Sequence, residues 1–285
     1  MKRKPLIVFL TGGLGNQLFQ LANAVSSEPE REIHLEWTLG KPRCDSHGLP
    51  DIQGFRLPDR VKFMPVVRYS NLASKTAGYL LRSGIAPKRW ETKPIYQRIT
   101  LLMGSVVLSI HFRRLLKILR GTGIGHSTIT PRTGTGFIIG YFQSLKFTEK
   151  TYAYHELRKL SLAKENAEVE GFRELAIMEE PIVVHFRFGD YKLEDSFGIP
   201  GYSYYKKALE EMTRKYPRSK IWVFTDEVEA AEKAFPADYA SKARWFTDKK
   251  LTSAETLEIM RLGKAYVIAN STFSWWGAML SNSEN

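Results

Sequence analysis

Residues 6–20 read LIVFLTGGLGNQLFQ: an apolar run, three glycines within four positions, and a second apolar run that opens at Leu18. The pattern is that of a buried strand, a glycine turn and a helix over residues 16–27, followed by a second strand in EIHLEW, residues 32–37. A strand that ends in a glycine turn at the start of a helix presents backbone N–H groups and the positive end of the helix dipole. Such a turn suits a phosphate, a sugar hydroxyl or another stretch of backbone. One reading is a dinucleotide site: Gly13-Leu14-Gly15 resembles the start of GxGxxG, and Glu36 lies at the end of the next strand. The third glycine position is Leu18, which weakens that match.

The second half, from Pro181 onward, alternates regularly. Strands PIVVHFR, KIWVFTD, ARWFTD and AYVIAN are separated by helical YSYYKKALEEMTRKY, EVEAAEKAF and SAETLEIMRLGK, and STFSWWGAML opens a last helix. This βαβαβα order predicts a parallel sheet with helical crossovers. With 285 residues, 43% of them hydrophobic, the chain is long enough for two α/β domains. They are expected at 1–165 and 166–285, joined within the helical run of residues 148–180.

No apolar run is long enough to span a bilayer, and about six apolar residues after MKRKP are too few for a signal peptide, so a cytoplasmic location is expected. The single cysteine, Cys44, forms no internal disulfide and no cysteine-based metal site. The net charge of +12 is concentrated in residues 75–132, where eleven Lys or Arg face one acid, Glu91. Within this stretch, residues 101–112 are apolar and residues 113–120, RRLLKILR, are basic. The composition predicts a basic helical insertion, either resting on an anionic membrane or polyanionic partner or forming a solvated face over an ordinary core helix.

Three strand ends in the second half carry polar groups. VVHFRFGDY, residues 183–191, places His185, Arg187 and Asp190 after a buried strand, with His185 and Arg187 on one side of it. Arginine offers a planar fork of donors for a diphosphate, and aspartate accepts from a sugar hydroxyl or a purine N–H edge. An Arg187–Asp190 pair that only fixes the loop is the structural alternative. VFTDE ends in Asp226, and VIANSTFSWWGA places Asn270, Ser271 and Thr272 at a helix start suited to phosphate oxygens. Trp275 and Trp276 read as core. Together the three ends describe a nucleotide-diphosphate site.

GGLGNQLFQ (12–20), HFRFGDY (185–191), FTDE (224–227) and NSTFSWWGA (270–278), in this order, resemble the motif set of the α-1,2-fucosyltransferases of glycosyltransferase family 11. The resemblance implies a GT-B architecture: two Rossmann-like domains facing across a cleft, the N-terminal one on the acceptor side and the C-terminal one holding GDP-fucose. It implies metal-independent, inverting transfer of fucose to the 2-hydroxyl of a galactoside, with GDP-fucose as donor substrate and no cofactor. Arg187 would hold the donor diphosphate. His185 and Asp190 would shape the same loop and contact the nucleoside, Asp226 would help bind it, and Ser271, Thr272 and Phe273 would close over the phosphates. Asn16 would face the transferred sugar and the acceptor across the cleft, and Gly13 and Gly15 would let the backbone of the glycine turn approach GDP-fucose. The chain departs from the family's HxRRGDY at Phe188, and it stops at Asn285, where relatives continue.

The expected partners are GDP-fucose, a galactose-terminated glycan that includes lipid-linked forms, and an anionic membrane surface, but no nucleic acid. There is no DxD triplet to clamp a metal-bound nucleotide sugar. Asp190, Glu194 and Asp195 are the carboxylates nearest the motif in sequence, and none stands out as the general base. A transferase for another nucleotide sugar, an NAD- or FAD-dependent oxidoreductase and a polyanion-binding module remain as alternatives.

Overall fold

The computed structural model describes residues 4–40, 42–45, 48–64, 94–111, 117–120, 135–144, 151–189, 198–247 and 250–281. The chain divides into two compact units, Met1–Leu160 and Ser161–Asn285. The division falls five residues before the junction expected from sequence.

In the first unit, strands β1 (Leu6–Phe9), β2 (Ile33–Glu36), β3 (Val61–Phe63), β4 (Lys117–Arg120) and β5 (Thr135–Ile139) form one parallel sheet in the order β3-β2-β1-β5-β4. β1 is central, and all four of its residues are buried, as in a sheet covered on both faces. Helix α1 (Leu14–Ser27) follows the glycine turn, α2 spans Ile95–His111, and α3 (Tyr152–Arg158) packs on α1.

In the second unit, β6 (Ile182–Phe186), β7 (Ile221–Thr225), β8 (Ala243–Phe246) and β9 (Ala265–Val267) form a parallel sheet ordered β8-β7-β6-β9. Its helices are α4 (Ala167–Glu179), α5 (Tyr202–Lys215), α6 (Val228–Ala234), α7 (Ser253–Met260) and α8 (Thr272–Met279). Alternation along β6 feeds two cores. Val184 and Phe186 pack with Tyr205, Leu209 and Phe235, whereas Val183 joins Trp222, Phe224, Val169, Ile259 and Met260. Trp222 anchors the second core: its ring meets Phe172 and Phe246 at 5.9 and 5.1 Å, and its Nε1 donates to Glu179 Oε2 at 2.6 Å. Trp276 is fully buried.

In each sheet the chain winds outward from its first strand, β1 or β6, and then reverses to that strand's other side. The reversal lies between β1 and β5 in the first unit and between β6 and β9 in the second. Open α/β sheets bind ligands at such points, beyond the carboxyl ends of the strands. The glycine turn follows β1, and Arg187 follows β6, so each unit carries one sequence motif at its reversal.

The basic insertion differs from the sequence expectation. The helix is Ile95–His111, and Lys117–Arg120 is not its continuation but strand β4, parallel to β5 with a register shift at Lys117/Ile118. A four-residue segment that can add ladder hydrogen bonds along β5 gains more from pairing than its apolar–basic composition offers a helix. The remainder of residues 75–132 lies outside the described residues.

The buried tryptophan gives a stability test. Trp222→Ala should lower the unfolding free energy by about 3–5 kcal/mol, whereas Ile177→Ala, at a side chain 81% exposed, should stay within about 0.5 kcal/mol. Urea unfolding followed by tryptophan-independent circular dichroism would measure both.

Candidate active site

In the second unit, Asp226 holds the loop that follows β6. One carboxylate oxygen, Oδ2, pairs with Arg187 Nη1 at 2.9 Å, and the other, Oδ1, accepts from the Phe188 N–H at 3.0 Å. A Cβ at Gly189 would lie 2.6 Å from Oδ2, so glycine at this position lets the carboxylate close on the loop. Asp226 follows β7, beside β6 in the sheet, and parallel register brings the two strand ends level. The guanidinium is therefore aimed by a neighbouring strand rather than by its own loop alone. Asp190, the partner considered from sequence, lies outside the described residues, as do Glu194 and Asp195.

Phe188, where the resemblance implies a second arginine, is 8% exposed. Its ring lies 6.0 Å from that of Phe186 in the core with Tyr205 and Phe235. Arg187 and Phe188 thus leave the strand toward opposite sides, and the substituted position contributes packing.

His185 is buried beneath the same loop. Burial, and secondarily the neighbouring Arg187 charge, push its pKa from the ordinary 6.5 down to about 3. The imidazole is therefore neutral at neutral pH, and its buried Nδ1 has no hydrogen-bond partner. Its ring lies 6.3 Å from that of Phe273, which joins β6 to the start of α8 across the strand-order reversal. There Ser271 is the N-cap: its Oγ accepts from the Phe273 N–H at 3.3 Å, and Thr272 begins the helix. The exposed Asn270 precedes them.

Two tyrosines that the sequence reading left unassigned brace these strand ends. Tyr205 Oη donates to the His185 carbonyl at 3.1 Å, and Tyr204 Oη donates to the Ile268 carbonyl at 2.9 Å. Consecutive tyrosines in the first turn of α5 thereby hold the ends of β6 and β9. Burial pushes the pKa of both phenols up, which keeps them neutral donors.

In the first unit, the glycine turn is fixed from within. Gly12 has φ +74°, and a Cβ there would meet Asn16 Nδ2 at 2.5 Å. Gly13 differs: the nearest atom to its Cβ position is Arg43 Nε, 4.0 Å away. Gly15 is buried in the first turn of α1, and Asn16 accepts from Gln143 Nε2 at 2.8 Å. Gln17 and Gln20 secure the surrounding loops. Gln17 donates to the carbonyls of Gly12 and Arg43 and accepts from the Ile52 N–H; Gln20 accepts from the Thr11 N–H and donates to the Gly140 carbonyl. Both are fully buried, and their sequence signal was two amides one helical turn apart on an apolar helix.

Glu36, the candidate ribose ligand of the dinucleotide reading, is 1% exposed and accepts from Thr38 Oγ1 and the Leu39 N–H. Burial pushes its pKa up. It closes its own turn and is not presented to a ligand.

His185 makes acid stability measurable. Its folded pKa is depressed, so between about 6.5 and 3 the unfolded chain binds the proton and the folded chain does not. This contribution is complete above pH 6.5 and falls with acidification by at most about 1.4 kcal/mol per pH unit. His185→Leu should flatten the pH dependence of urea unfolding in that window. An unchanged slope would show that His185 is charged in the folded protein.

Residues 117–285 match the profile of glycosyl transferase family 11. Over its length the chain is similar to an alpha-1,2-colitosyltransferase of Escherichia coli, 25% identical across 97% of this chain and 88% of that protein. In fold it is similar to the NodZ alpha-1,6-fucosyltransferase soaked with GDP-fucose, with TM-score 0.50, 14% identity, and coverage of 98% of this chain and 93% of that one. It also resembles POFUT1 in complex with GDP, with TM-score 0.52, 11% identity, and coverage of 100% and 97%. The two parallel sheets are those of the GT-B type. With more than half of its length matched to one family, the chain belongs to glycosyl transferase family 11.

Proposed function

We propose that this glycosyltransferase moves fucose from GDP-fucose to the 2-hydroxyl of a galactoside, with inversion and without a metal or other cofactor. The observation that carries the reading is the Arg187 guanidinium held by Asp226 at the strand-order reversal of the second unit. The donor assignment draws support from the fold shared with a fucosyltransferase soaked with GDP-fucose, and the 1,2 linkage from the full-length colitosyltransferase relative.

In the proposed reaction, the acceptor hydroxyl oxygen forms a bond to the fucose anomeric carbon on the face opposite GDP. The bond from that carbon to the β-phosphate oxygen breaks, its electrons remain on the phosphate, and the hydroxyl proton passes to a base or to solvent. Negative charge therefore grows on the diphosphate, where paired charge-assisted hydrogen bonds from Arg187 and N–H groups at the start of α8 lower the barrier most. Asp226 acts as the brace of Arg187 in this scheme. His185 supports the loop from beneath as a neutral ring, and Ser271, Thr272 and Phe273 lie at the phosphate end. Gly13, open at its Cβ position, and Asn16, oriented by Gln143, are the proposed contributions of the first unit. The acceptor is a galactose-terminated glycan, and a lipid-linked one places the enzyme peripherally on the cytoplasmic side of a membrane.

A second reading keeps the same chemistry with a colitosyl donor, and it rests on the colitosyltransferase relative. Initial rates with the two donors separate the readings.

Lysine keeps the charge of Arg187 but loses its fork. Arg187→Lys and Arg187→Ala should each lower kcat/KM at least about a hundredfold, roughly 2.7 kcal/mol, with the fold intact. If Arg187 only braces the loop through Asp226, Arg187→Lys keeps a near-normal rate and both variants lose thermal stability instead. Transfer should also persist in excess EDTA. Complete loss restored by Mg²⁺ or Mn²⁺ would overturn the metal-free mechanism.

A further inference from the structure

We propose that the face of α2 formed by Ile95, Tyr96, Ile99, Leu102, Met103 and Val106 docks the enzyme on an anionic bilayer. These six side chains are between 48% and 70% exposed. At 3.6 residues per turn they fall within an arc of about 120°, one continuous stripe along the helix. Gly104 is buried on the opposite side. The helix carries no Asp or Glu anywhere in its 17 residues. A continuous apolar stripe turned to solvent is a surface for which water is a poor partner.

Charge selects the occupant. The stripe lies within residues 75–132, where eleven basic residues outnumber one acid. Arg98 lies on the helix itself, Lys93, Arg113 and Arg114 adjoin its ends in sequence, and no acid occurs between Thr92 and Arg132; anionic headgroups gain roughly 1 kcal/mol for each Lys or Arg near the surface, whereas a second copy of this chain brings a helix of the same sign. Elsewhere, Ile177 and Met178 are exposed at 81% and 75%, but they adjoin Glu179 and Glu180 and lack that complement. Among the described residues no helix is long and apolar enough to cross a membrane, so the α2 face is assigned to lie in the headgroup boundary. There it would hold the enzyme on the surface that carries lipid-linked glycans. The docking deepens the lipid-linked acceptor reading without depending on which sugar is transferred.

The test is flotation of the full chain with phosphatidylglycerol–phosphatidylcholine vesicles and with pure phosphatidylcholine vesicles. Binding to the first and not the second, lost in high salt, is expected. The triple variant Ile99→Ser, Leu102→Ser, Val106→Ser should bind anionic vesicles at least about tenfold more weakly. Its melting temperature and its GDP-induced thermal shift should match those of the parent. Absence of parent binding to anionic vesicles, equal binding by the variant, or a concentration-dependent parent dimer that the variant abolishes would overturn the proposal. Transfer to a free galactoside reports separately on the reaction, so failure of docking and failure of the fucosyltransferase reading are distinguishable.

Discussion

The arrangement of the second unit depends on one carboxylate. Asp226 sits at the end of β7 and reaches the loop after β6, where it takes the Arg187 guanidinium on one oxygen and the Phe188 N–H on the other. Half-buried and charge-assisted, these contacts outweigh an exposed ion pair, because the aspartate is tied to a strand that cannot move independently of its neighbour. The glycine at 189 and the burial of Phe188 follow from this closure: the loop must approach the carboxylate on one side and fill the core on the other.

The first unit meets a similar demand with neutral groups. Its reversal point is held by Gln17 and Gln20, whose amides both donate and accept and so reach the glycine turn and the loops around it from inside a buried helix. Buried amides satisfied on both ends fix a loop without placing net charge beside it. The second unit instead keeps a cation at its reversal point, and there the buried His185 stays neutral, so its ring adds no second charge beside Arg187.

Family membership and fold agree with this division of labour. In a GT-B protein the sheets supply rigid ends and the loops supply chemistry, so the informative residues cluster where strand order reverses. The apolar, acid-free α2 lies outside that plan, in a basic segment whose composition differs from the rest of the chain.

The sequence by itself determined the α/β class, the alternation of the second half, the glycine turn and the family, because strand and helix periods and turn residues are local properties. Most second-unit elements lie within a few residues of their sequence bounds for this reason; AYVIAN, for instance, narrows to Ala265–Val267. Only the tertiary structure decided which groups meet. Pairing of Arg187 with Asp226, 39 positions away, requires β6 and β7 to be neighbours in register, and no spacing rule distinguishes it from pairing within the loop. The same holds for the two tyrosines of α5, which read as helix residues until β6 and β9 are placed beside them. It holds also for KILR, whose strand state is conferred by the partner strand β5. Long-range pairing chooses among local options of similar energy, and that choice is absent from the linear pattern.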